Sequence, residues 1–167
     1  MKRKQLNYLI MTALFAALVT VFTAYIGHIP LPGTEGYIHF ADALIFLAAC
    51  LLPGPYAAAA GALGAGLADM LTAPAYAIPS VIIKICIALC FSAKREKILC
   101  ARNCLALLPA AAITLGGYFL VERIIKYTWQ AALVTLPANL VQVIGSAALF
   151  VLLGLAMDKT GLKNKMK

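Results

Sequence analysis

Residues 61–84 read GALGAGLADMLTAPAYAIPSVIIK. Small and apolar residues run up to Asp69, a proline-bearing turn follows, and a second apolar run carries Lys84. Two such runs joined by a turn read as paired helices, and a single charge embedded in each needs protein or water around it. The rest of the chain decides whether their surroundings are a soluble core or a bilayer.

Of 167 residues, 63% are hydrophobic and 12% charged, and the mean hydropathy is +0.93. That lies far outside the composition of a soluble domain and predicts an integral membrane protein. At ~20 apolar residues per span, the length accommodates about six helices in one bundle, residues 1–167 forming a single all-α domain. The net charge of +8 would point to nucleic acid in a soluble protein. Here the basic residues stand in short clusters beside apolar runs, so they are topology signals and no nucleic-acid partner is expected.

The spans follow from the punctuation. The first runs over 6–26, too long for the apolar core of a signal peptide, and is expected to be retained. A loop rich in helix breakers, GHIPLPGTEGYI, leads to a second helix over 39–52, and PGP at 53–55 turns the chain into a third over 56–71. The second and third look short for a bilayer crossing. A fourth helix ends near Phe91, a fifth covers 104–121 and a sixth 131–157, with Pro79, Pro109 and Pro137 in or near helix starts. Six spans place both termini on one side. Lys2, Arg3, Lys4, Lys94, Arg95, Lys97, Arg102, Lys159, Lys163, Lys165 and Lys167 fall on that side, against Arg123 and Lys126 opposite. Basic residues accumulate in cytoplasmic loops, so the termini are expected in the cytoplasm.

With that orientation Asp42, Asp69, Lys84, Asn139 and Gln142 all belong to the outer half. An ion pair between Asp69 and Lys84, at comparable depth on consecutive helices, is the simplest expectation. The same pair would offer an acceptor and a donor to a polar ring in a cavity open to the outside. Tyr37, Tyr76, Tyr118, Tyr127 and Trp129 gather at this end, as stacking partners or as an interfacial aromatic belt. His39, three residues before Asp42, is placed on the same helical face. His28 is expected in solvent, and Glu122, Arg123 and Lys126 form a solvated rim. Glu35, in the first loop, is expected to be solvated or to close over a ligand.

Cys50, Cys86, Cys90, Cys100 and Cys104 lack partnering histidines at zinc spacing, so they are packing residues and no metal is expected. No phosphate-cradling loop, nucleophile elbow or zinc-protease motif occurs, which argues against an enzyme and against a bound cofactor. Small residues in AAAAGALGAGLA, 57–68, allow close helix packing. Ala13 and Ala17, four apart, offer the first helix the same property toward a partner.

Ala13 and Ala17, GYIHFADALIFLAACLLPGP at 36–55 and AGLADMLTAPAYAIPSVIIK at 65–84 together resemble the substrate-binding S components of energy-coupling factor (ECF) vitamin transporters, close to the riboflavin-type and hydroxymethylpyrimidine-type group. Size and six-helix layout extend the likeness over nearly the whole chain. Pro53 departs from the aromatic or aliphatic residue that similar proteins carry before Gly-Pro. The resemblance implies a vitamin site near the external face under the loop between helices 1 and 2. It also implies assembly with a membrane coupling subunit and two ATPases through Ala13 and Ala17. The expected substrate-binding residues are His39, Asp42, Asp69, Tyr76, Lys84 and Asn139, and the expected ligand is hydroxymethylpyrimidine or pyridoxine. Riboflavin or another vitamin is the alternative within the class, and a structural or assembly subunit the alternative outside it.

Overall fold

The computed structural model of the chain describes residues 3–27, 29–30, 37–161 and 163. Helix α1 (Arg3–Val21) continues into a π-helical turn, Phe22–Ile26, closed by a 2.7 Å bond from Gly27 N to Phe22 O. Two two-residue strands, β1 (Ile29–Pro30) and β2 (Tyr37–Ile38), pair antiparallel with Ile29 opposite Ile38. This ladder draws together the ends of the loop rich in helix breakers. His28 and Glu35 lie outside the described residues.

Helix α2 (Asp42–Leu51) is only ten residues long, about 15 Å, half the ~30 Å hydrocarbon thickness of a bilayer. His39 is not in it, contrary to the expected start at 39. The His39 N–H donates to Gln142 Oε1 (3.2 Å), and its ring Nδ1 accepts from Ala41 N (3.2 Å), which fixes the residue in non-helical chain just before the helix. Helix α3 (Gly54–Thr72) has 19 residues, about 28 Å, and is not short. Pro55 stands in its first turn, where a missing N–H costs no helical bond, so the helix begins before the expected Tyr56. A single 3₁₀ turn, Pro74–Tyr76, leads into α4 (Ala77–Leu89).

The expected fifth helix is two pieces, α5 (Ala101–Leu105) and α6 (Leu107–Lys126), longer at both ends than 104–121. Pro109 sits in the first turn of α6, where it is tolerated. Helix α7 (Trp129–Thr160) spans 32 residues despite Pro137, with Thr128 Oγ1 accepting from Ala131 N at its start.

Helix α2 is the centre of the fold: eight of its ten residues are buried, and it packs against α1, α3, α4 and α7. Around it α1 packs on α3, α3 on α4, α4 on α6 and α6 on α7. Gly64 permits the α1–α3 contact. A Cβ there would stand 2.6 Å from Val19 Cβ, and Thr20 Oγ1 donates to Gly64 O at 3.0 Å. Phe46, Phe91 and Phe150 form a buried ring cluster below α2's midpoint. At the end of the bundle that carries the chain termini, Asn103 accepts from Ser92 N and donates to Ser92 O and Ile98 O. Asp158 there accepts from the N–H groups of Ile98 and Leu99.

Among the described residues three helical stretches, Arg3–Ile26, Ala101–Lys126 and Trp129–Thr160, are long and apolar enough to cross a membrane. They turn large apolar side chains outward, Leu108 and Val134 among them at 70% and 68% exposure. Such a belt is stable only where the solvent is itself apolar.

Candidate functional site

The polar residues converge at the N-terminal end of α2. Lys84, fully buried on α4, places Nζ 2.7 Å from Asp42 Oδ1. Lys84 therefore pairs with Asp42 and not with Asp69, as the sequence led us to expect. Depth explains the exchange. The α3 start and the α4 end lie level, since a Cβ on Gly54 would touch Leu89. From that level Asp69 stands fifteen residues up α3, about 22 Å, and Asp42 nine residues up α2 from Leu51, about 14 Å. Lys84 is five residues from Leu89, and a helical side chain leans toward its helix N-terminus, here toward Asp42. A half-length helix brings its carboxylate down to the lysine.

Further groups complete the setting of this pair. The Gln142 amide, whose oxygen accepts from His39 N, is buried beside this layer. The Tyr118 ring faces Lys84 Nζ at 5.2 Å, and its hydroxyl shares a 2.9 Å bond with Ser80. Asp69, 5% exposed, acts electrostatically on both Lys84 and Tyr118. Phe40 fixes the approach to α2, its ring occupying the notch that Gly145 leaves on α7, where any Cβ would collide with it. The void that Asp42 shares with Thr114 and Phe46 measures about 10 Å³. That is no more than one water's space, so no ligand enters from this side.

One level further out, the Tyr76 hydroxyl donates to Glu122 Oε1 at 2.8 Å. Glu122 is buried, which corrects its reading as part of a solvated rim. Its neighbour Arg123 lies 5.0 Å from the Trp129 ring centre, and Trp129 packs against Phe119. Thr114, Tyr118 and Glu122 recur every four residues on an otherwise apolar helix, and that inward polar stripe is the sequence signal for Glu122. Asn139 is half-buried within α7. Of the expected site residues the fold thus gathers His39, Asp42 and Lys84 in one layer, with Asp69 and Tyr76 above. Ala13 and Ala17 lie far from this cluster on the outward side of α1, amid exposed Ile10, Leu14 and Leu18.

The family described as "ECF-type riboflavin transporter, S component" matches residues 4–159. The chain belongs to that family. It is thus an S component by family. A protein of Pyrococcus woesei described as "Uncharacterized protein in gap 3'region" is 38% identical over 66 residues, 40% of this S component and 44% of that protein. The chain spans less than half the length of this relative.

Proposed function

We propose that this S component binds a small, donor-rich heteroaromatic vitamin or vitamin precursor, hydroxymethylpyrimidine or pyridoxine, at the end of the bundle holding Asp42, Asp69 and Glu122. The observation that carries this reading is the charge of the buried cluster. Three buried carboxylates are accompanied by one fully buried ammonium, already paired with Asp42. A ligand entering there meets a wall with more carboxylates than fully buried ammonium groups among the described residues, so ring N–H, amino and hydroxyl donors are favoured and carboxylate-bearing vitamins are repelled. Asp69, Tyr76 and Glu122 are the recognition groups, with His39 and Asn139 at the margin. Asp42 and Lys84 form the floor of the site. Riboflavin is the second reading, favoured by the description of the matched family.

In the same reading six helical passes, α1, α2, α3, α4, α5 with α6, and α7, form a single domain in the cell membrane. Both termini are cytoplasmic and the vitamin site is external. Ala13 and Ala17 dock on the coupling subunit, and two ATPases drive uptake. The short α2 is acceptable in such a bundle because protein surrounds its start on every side.

The test is a thermal-shift panel on the purified protein with hydroxymethylpyrimidine, pyridoxine, riboflavin, thiamine and pantothenate. A ligand bound only by the folded state at 100 times its Kd stabilises it by about 2.7 kcal/mol. Stabilisation by one of the first two ligands, lost in Glu122→Leu, is expected. Stabilisation by pantothenate would refute the electrostatic argument. No stabilisation by any vitamin would favour a structural or assembly role.

A further inference from the structure

Helix α4, with the 3₁₀ turn before it, meets α6 along a row of polar pairs. Tyr76 bonds Glu122, and one turn deeper Ser80 bonds Tyr118 at 2.9 Å. Positions rise by four along one helix as they fall by four along the other, the register of two antiparallel helices that face each other. The next step places Thr114 level with Lys84, and Thr114 shares the small void beside Asp42, the partner of Lys84. Gly117 keeps the helices close at the middle pair, since a Cβ there would stand 2.8 Å from Ile83 Cδ1.

On α6, Thr114 and Glu122 lie one turn to either side of Tyr118 and are buried, while Ala112, Gly116 and Leu120 on the opposite side of the helix are exposed. Tyr118 thus points into the bundle. It nevertheless keeps accessible surface, whereas its partner Ser80 is 1% exposed. Accessible surface on an inward-pointing ring borders interior space. The ring is also held in place, its hydroxyl by Ser80 and its face by Lys84 Nζ, 5.2 Å from the ring centre. An aromatic body fixed at its polar tip loses little freedom when a second ring stacks on it.

Given the vitamin site proposed above, on which this step rests, we propose that Tyr118 is the platform on which the vitamin's ring stacks and that Ser80 is the positioning residue of that platform. Four residues of helix separate Tyr118 from Glu122, about 6 Å, the reach of one six-membered ring with a substituent and a hydrogen bond. A ring on Tyr118 therefore extends a donor to Glu122 and stands above the Asp42–Lys84 floor. The Ser80 bond sets the plane of the platform, and with it the direction in which the ligand's donors point.

The test is calorimetric titration of the purified full chain with hydroxymethylpyrimidine, pyridoxine and riboflavin, together with the near-ultraviolet circular dichroism of the bound vitamin. Tyr118→Leu, which keeps an apolar side chain without a ring, is expected to weaken binding roughly tenfold and to remove the dichroic band of the stacked ring. Tyr118→Phe and Ser80→Ala keep the ring and free it, and each should weaken binding roughly three- to fivefold. The two together should cost no more than either alone, because the same hydrogen bond is lost in all three, and Ser80→Thr should restore the affinity. A merely structural role would lower Tm and leave the dichroic band and this coupling unmoved. Binding that requires Glu122 and is unchanged in Tyr118→Leu overturns the platform and leaves the vitamin site standing. Additive losses in the double variant overturn the role of Ser80. No binding of any of the three ligands by the native chain overturns the site and the platform together. Should Tyr118→Leu fail to fold, the native chain with ring-labelled tyrosine decides: nuclear Overhauser contacts from the vitamin's ring protons to a tyrosine signal that is missing in Tyr118→Phe support the platform, and their absence overturns it.

Discussion

Replacing Lys84 by methionine removes one charge and keeps most of the side-chain volume, leaving Asp42 buried without its partner. At 2.7 Å and an effective dielectric constant near 20, the lost attraction is about 6 kcal/mol before desolvation is subtracted. The carboxylate can avoid standing alone as an anion by taking up a proton. An ordinary aspartate ionises near 3.9, so protonation at pH 7 costs about 4 kcal/mol, which caps the destabilisation within the usual range of about 3–5 kcal/mol for a broken buried pair. At pH 5 the same protonation costs about 1.5 kcal/mol. Folding of the variant takes up a proton, so its stability falls as pH rises above the ordinary aspartate value. For a chain of this length 1 kcal/mol shifts Tm by roughly 2–4 °C. Lys84→Met should therefore melt roughly 8–16 °C below the native protein at pH 7 and roughly 3–6 °C below at pH 5. Thermal unfolding in detergent, followed by Trp129 fluorescence and circular dichroism, measures both. Adding Asp42→Asn should restore most of the loss at pH 7, and adding Asp69→Asn should not. A deficit under 2 °C at pH 7, a deficit that does not shrink on acidification, or rescue by Asp69→Asn would each refute the pairing and its energetics.

Tyr76→Phe removes the donor to Glu122 Oε1 and should weaken vitamin binding about tenfold, or 1.4 kcal/mol, in equilibrium titration; unchanged affinity removes this pair from recognition. Gly64→Val should destabilise by about 1–3 kcal/mol, because the new side chain collides with Val19 and the Ala16 carbonyl. An unaltered melting curve would show that α1 and α3 separate at no cost. Asn103→Ala deletes three bonds that shape the 92–98 turn, and amide hydrogen exchange at Ser92 should rise while exchange in α2 stays protected. Ala17→Trp should abolish co-purification with the coupling subunit and leave the vitamin-induced Tm shift intact; loss of both would place this face inside the binding machinery.

The all-helical, membrane-embedded character of the chain was legible because composition acts along the chain, without reference to its fold. The partner of Lys84 was not. Residues 38–52 form one apolar run, and nothing local marks where its helix begins. Asp42 becomes the first helical residue because Gln142, 103 positions away, holds His39 in non-helical chain, and because Phe40 is lodged against Gly145. Depth inside the bundle is thus set by long-range contacts, and a reading that places consecutive helices side by side pairs the wrong carboxylate. Glu122 was obscured differently. Its neighbours Arg123 and Lys126 suggest a solvated helix end, while the four-residue recurrence from Thr114 points inward, and in the fold the inward pattern prevails. Proline was informative at Pro55, Pro79 and Pro109, each within the first turn of a helix. It was uninformative at Pro137, which α7 carries in its interior.

The brevity of α2 sets a dimension as well as a pairing. A helix that begins at Asp42 leaves, along its own axis, about 15 Å of a bilayer-thick bundle unfilled by that helix, a shaft into which His39 and Phe40 lead as non-helical chain. One added turn at Asp42 would shorten that shaft by about 5.4 Å, and one deleted turn would deepen it equally. The depth of the shaft is thus set by the register at which a single internal helix begins, with the surrounding helices and their apolar outward faces left as they are.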